Sequence, residues 1–93
     1  MGVNISIMDS RTKRGLPEWD FCRHAGDREV SGILDANPST NLYEDMDFVI
    51  TRPESVEDFR SALHANIQDN PERWDQMCDI LARDVHLGLY FSW

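Results

Sequence analysis

The chain has 93 residues, 41% of them hydrophobic and 28% charged, with a formal net charge of −8. That length supports one core, hence a single domain over 1–93, and that composition excludes a disordered tail. An acidic surface repels nucleic-acid phosphate, and no apolar run nears the ~20 residues that cross a bilayer, so neither nucleic acid nor membrane is an expected partner.

Val3, Ile5 and Ile7 alternate with Asn4 and Ser6, the period-two pattern of a half-buried strand. The opening "MGVNISIMDSRTKRG" does not read as a secretion signal, because its apolar stretch is short and its basic residues follow it. A polar, basic loop over 9–17 ends at Gly15 and Pro17. The stretch "PEWDFCRHAGDREV" (17–30) follows, with a helix start at its tail: Asp27 as cap, and Val30, Ile33 and Leu34 on one face. "ANPSTN" (36–41) is turn-rich and ends that helix.

Met46, Phe48 and Ile50 alternate toward a second strand, which Pro53 stops. Ser55 precedes Asp58 by three, and Val56, Phe59, Leu63 and Ile67 recur at helical spacing, so a helix is expected over 56–67. Asn70 and Pro71 open another over 71–83, with Trp74, Met77, Cys78 and Leu81 as its apolar stripe. So short a link between two helices predicts an antiparallel pair. Val85, Leu87, Leu89, Phe91 and Trp93 alternate in a last strand. The expected fold is α+β: a small, mostly antiparallel sheet of three or more strands, with two C-terminal-half helices packed on one face. Its expected core is Ile5, Ile7, Phe48, Ile50, Phe59, Leu63, Trp74, Leu81, Leu87, Leu89 and Phe91.

Reactive side chains crowd the 17–30 loop. Asp20, Cys22, His24 and Asp27 would be the candidates for a small enzyme or a metal-binding protein. Yet Cys22 and His24 form a bare C-x-H with no second ligand pair, and a Cys–His nucleophile would need both on one side of the segment. The simpler reading is structural. Trp19 and Phe21 would anchor the loop, and Arg23 and Arg28 would pair with Asp20, Asp27 and Glu29. Catalysis, a metal and a cofactor are therefore not expected. Cys22 and Cys78 read as reduced thiols, which points to the cytoplasm.

Charge is unevenly placed: residues 1–40 carry six acids and five bases, residues 41–93 eleven acids and four bases. The expected function is a non-catalytic protein-binding module, inhibitor-like or adaptor-like, with a basic protein as partner. In size and charge the chain resembles small acidic inhibitors of basic enzymes, immunity proteins among them. Candidate contact residues are Glu57, Asp58, Glu72, Asp75 and Asp79 on the helices, and Trp19, Arg23 and His24 on the loop. Asp75 and Asp79 are expected to face solvent, so that reversing both to Lys spares the fold and abolishes partner capture. Two further readings stand beside this one. "MGVNIS" fits an acylation signal at Gly2, with Arg11, Lys13 and Arg14 as the accompanying basic patch. The last strand, if it lies at a sheet edge, would offer its backbone to a second copy in a homodimer.

Overall fold

The computed structural model describes residues 3–93. Val3, Ile5 and Ile7 are buried, and β1 (Asn4–Asp9) turns back on itself into the two-residue β2 (Arg14–Gly15). An irregular stretch leads to α1 (Asp27–Ala36), then to a hairpin of β3 (Ser39–Glu44) and β4 (Val49–Pro53). Two helices follow, α2 (Val56–Asn66) and α3 (Pro71–Arg83), before β5 (Leu87–Ser92) closes the chain. The strands form one antiparallel sheet in the order β2-β1-β5-β4-β3, so the fold is α+β. The last strand is central: it pairs with β1 from Asn4↔Ser92 to Asp9↔Leu87 and with β4 at Thr51↔Leu89.

Ile5, Ile7, Leu87 and Leu89 supply the sheet's share of the core. Phe59 and Leu63 from α2, and Trp74, Met77, Cys78 and Leu81 from α3, complete it with Val30 and Leu34 from α1. Each large side chain in this set contributes roughly 1.5–3 kcal/mol by leaving water. Ser55 Oγ accepts from the Asp58 amide and caps α2. Cross-helix pairs link His64 to Asp75 and Arg60 to Asp79, so α2 and α3 run antiparallel, as their short link predicts.

Several expectations need correction. The "ANPSTN" turn gives way to a strand from Ser39, because β3 is an edge strand that needs only one partner and no buried face. Pro53 does not stop β4 but ends it from within, opposite Ser39. Met46 lies fully in solvent, because Asp45 Oδ1 accepts the amides of Asp47 and Phe48 and makes this stretch a turn. Phe48 and Phe91 are half-buried rather than core. Val85 and Trp93 are exposed, since residues 84–86 form a turn in which Asp84 accepts from the His86 amide, and β5 begins after it. Gly26, not Asp27, sits at the start of α1, at φ 92°, where a Cβ would lie 2.6 Å from Ile67 Cγ2 and 2.9 Å from Trp74 Cζ2. Asn70 occupies the α3 cap position, but its side chain donates to Ala25 O instead of capping.

The other side of the sheet is coiled rather than flat. Lys13, in the β1–β2 turn, places its Nζ 4.7 Å above the Tyr43 ring of β3 at the opposite edge. Four strand spacings separate those edges, about 19 Å if the sheet were flat, so the sheet curls enough to bring them within side-chain reach.

Candidate functional site

α3 divides its residues between two environments. Trp74, Met77, Cys78 and Leu81 face the core, while Glu72, Asp75, Gln76, Asp79 and Arg83 line an open groove with Glu18 from the loop. The groove encloses about 660 Å³. Its one apolar lining residue, Ile80, is buried at 4% exposure, so charged and amide side chains and their aliphatic stems border a packed floor.

Arg60 organises the acids on the α2 side. Its guanidinium reaches Glu57 Oε1 at 3.2 Å, Asp75 Oδ1 at 3.1 Å and Asp79 Oδ1 at 2.7 Å. The bond to Asp79 is the largest of the influences that push the Arg60 pKa upward, fixing it as a cation. His64 Nε2 meets Asp75 Oδ1 at 2.8 Å and, with Arg60, draws that carboxyl's pKa below its ordinary value. The carboxylates still face water: Glu57 and Asp79 side chains are 73% and 70% exposed. Near the far end of α3, Arg83 pairs with Glu18 at 3.0 Å. Five acids (Glu18, Glu57, Glu72, Asp75 and Asp79) thus share this surface with two arginines. The local field is negative and mounted on helices, which hold it in place.

Of the predicted contact residues, the fold brings together Glu57, Asp75 and Asp79, with Glu72 on the same groove. Asp58 is separated from them, lining a small depression with Pro38, Glu54 and Ser55. Asp75 and Asp79 do face solvent, at 50% and 70% side-chain exposure, but solvent exposure does not leave them without a structural role. Both brace Arg60 across the α2–α3 seam, and lysines there would face that arginine.

The loop residues part company as well. Trp19 is buried at 3% exposure and donates from Nε1 to Ile5 O at 2.8 Å, so it is an anchor and not a contact. Its ring stacks beneath Arg73, whose guanidinium carbon lies 4.2 Å from the ring centroid. Phe21, the expected second anchor, is 61% exposed. Arg73 takes over its task. From α3 it bonds Asp27 Oδ1 at 3.0 Å and Oδ2 at 3.2 Å, Asp20 O at 2.9 Å and Cys22 O at 3.3 Å. Asp20 and Asp27, the expected partners of Arg23 and Arg28, are engaged by His24 and Arg73 instead. Arg23 is exposed, and so is His24, with its Nε2 3.0 Å from Asp20 Oδ2.

The same bonds define the loop's chemistry. Asp20 also accepts the Cys22 amide, the largest of the influences that hold its carboxyl at a pKa of about 2. In return its carboxylate, first by hydrogen bonding to the Cys22 side chain and then by its charge, raises the thiol pKa, which suppresses the thiolate that a nucleophile requires. Asp27 also accepts the His24 amide, so both its oxygens are committed to the fold. Among the described residues, no group of three or more His, Cys, Asp and Glu side chains is placed to hold a metal ion.

Gly2, the acceptor in the acylation reading, lies outside the described residues. In the basic patch proposed with it, Arg11 bonds Asp9 and Asp84, each at 2.8 Å, and Lys13 lies over Tyr43. Among the described residues no helix is long and apolar enough to cross a membrane. A homodimer through the last strand required that strand to lie at an edge, but β5 lies mid-sheet, and the edges are β2 and β3.

Sequence reasoning passed over Arg60, His64 and Arg73. For the first two a signal existed: Arg60 and His64 lie four apart on α2, as Asp75 and Asp79 do on α3, so antiparallel packing sets them opposite one another. Arg73 gave a fainter one, four residues before Met77 on the buried side of α3. Comparison with known proteins found no matching family model, no matching curated protein and no matching solved structure.

Proposed function

We propose that this chain is a non-catalytic protein-binding module whose α3 groove receives a basic segment of a partner protein. The observation that carries the reading is the groove with the seam beside it: four carboxylates of the loop and α3 line the groove with Arg83, and Arg60 ties Glu57 of α2 to two of them. Such a surface steers a cationic partner into contact and repels acidic competitors, and the attraction weakens as salt screens it. Its bracing favours binding further, since carboxylates already held by Arg60 lose little side-chain freedom on contact.

Capture from the native host's lysate tests the reading, with wild type compared against Glu72→Lys/Gln76→Lys. Both positions line the groove outside the Arg60 brace. The expected result is a basic protein bound by wild type at low salt, released at high salt and missed by the variant. Equal capture by both proteins removes the groove from consideration.

A further inference from the structure

On the coiled side of the sheet, Tyr43, Phe48 and Tyr90 form a continuous aromatic row. Their centroids are 5.2 Å apart for Tyr43–Phe48 and 5.5 Å for Phe48–Tyr90, the second pair edge to face. One end of the row already holds a cation, the Lys13 ammonium above Tyr43. The other end opens into a cleft. β4 and β5 pair at Thr51↔Leu89, and beyond that point residues 47–49 and 90–93 flank a space of about 470 Å³. Phe48 and Tyr90 line it from the coiled side, Phe91, which packs against the core face, and Trp93 border it at the end of β5, and Asp47 is the only charged side chain. Trp93 is 69% exposed.

We propose that this cleft is a cation–π site that takes an arginine side chain of a basic partner protein. Ring faces carry negative quadrupole density and attract a guanidinium, and Asp47 offers that guanidinium a carboxylate. An uncharged apolar guest would leave Asp47 unmatched at the edge of the site, whereas a cation matches both the rings and the acid. The geometry is fixed before binding, because Asp45 Oδ1 holds the amides of Asp47 and Phe48 and its other oxygen accepts the Tyr43 hydroxyl. The site shares no lining residue with the α3 groove and stands whether or not that groove binds.

Tryptophan fluorescence reads the cleft directly, since Trp19 and Trp74 are buried and Trp93 is not. A peptide alternating arginine and glycine is titrated into the wild type and into Glu72→Lys/Gln76→Lys, alongside a peptide with citrulline, the uncharged isostere of arginine. The arginine peptide is expected to change Trp93 emission saturably in both proteins, and the citrulline peptide to leave it unchanged. Phe48→Leu and Tyr90→Leu, which keep apolar bulk but remove the ring, should each weaken binding about three- to fivefold. Asp47→Asn, at an exposed turn position, should weaken it by a similar factor and serves if a leucine variant fails to fold. No saturable change with arginine, an equal response to citrulline, wild-type affinity in these variants, or a response lost in Glu72→Lys/Gln76→Lys would each overturn the assignment.

Discussion

Replacing Arg73 with Met should cost this domain a large share of its stability. The Arg73 and Asp27 side chains are 8% and 2% exposed, and the guanidinium makes two bonds to that carboxylate and one each to the carbonyls of Asp20 and Cys22. Removing one partner of a buried ion pair costs about 3–5 kcal/mol, chiefly because the other charge stays buried without compensation. The two loop carbonyls also lose their donors. Met fills much of the vacated volume against Trp19, so cavity formation is a small part of the loss. A domain of 93 residues has a total stability of about 5–14 kcal/mol, and the variant should sit near the lower edge of folding. Urea unfolding followed by fluorescence gives the number. The double variant Arg73→Met/Asp27→Leu should recover part of the loss, because it removes the stranded carboxylate. A loss under about 1 kcal/mol for Arg73→Met, or a double variant worse than the sum of the singles, would refute this account of the loop.

Acid should destabilise the domain over a defined window. Asp9 is held at a pKa of about 2, first by its bonds to the Arg11 side chain, and Asp20 at about 2, first by the Cys22 amide. Both values lie below the unfolded ~3.9, so their contribution is present above about pH 4 and is lost as pH falls toward 2. Urea midpoints over that range should fall less steeply in Asp9→Asn/Asp20→Asn than in wild type. The two thiols should separate by reactivity. Burial pushes Cys78 up to about 12, and Asp20 raises Cys22 in the open. Iodoacetamide at pH 8 should therefore label Cys22 alone until urea exposes Cys78, and Asp20→Asn should speed the labelling of Cys22 as read by mass spectrometry. Gly88→Ala places a Cβ 2.8 Å from Ile50 Cγ2 and 2.9 Å from the Thr51 carbonyl oxygen, so it should cost about 1–3 kcal/mol in the same urea assay.

The helices were legible in the sequence because their signals are local and repeated. Phe59 and Leu63 mark one face of α2, Trp74, Met77, Cys78 and Leu81 mark one face of α3, and all are buried. β1 and β5 were legible for the same reason at period two. β3 was not, since "STNLYE" carries no alternation of its own and is a strand only through its pairing with β4. Within the candidate site, acid types and spacings showed which face of α3 is charged. What they could not show is that Arg60 ties Glu57, Asp75 and Asp79 together, or that a buried arginine from α3 fastens the loop. Apart from the Glu57–Arg60 pair on α2, those contacts join residues 15 to 53 positions apart, beyond the reach of any local pattern. The loop misled for a related reason. Asp20, Cys22, His24 and Asp27 do bond to one another, but Arg73 from α3 fixes the segment through Asp27 and the carbonyls of Asp20 and Cys22.

Amide chemical-shift mapping would locate the bound partner on the chain. A ¹⁵N-labelled chain is titrated with the basic protein recovered by capture, or with a lysine-rich peptide if none is recovered, at low salt. The largest shifts should fall on α3 at Glu72, Asp75, Gln76, Asp79 and Arg83, with Glu18 beside them, and collapse when salt is raised. Shifts confined to other surfaces, or shifts on α3 that persist unchanged in high salt, would contradict it.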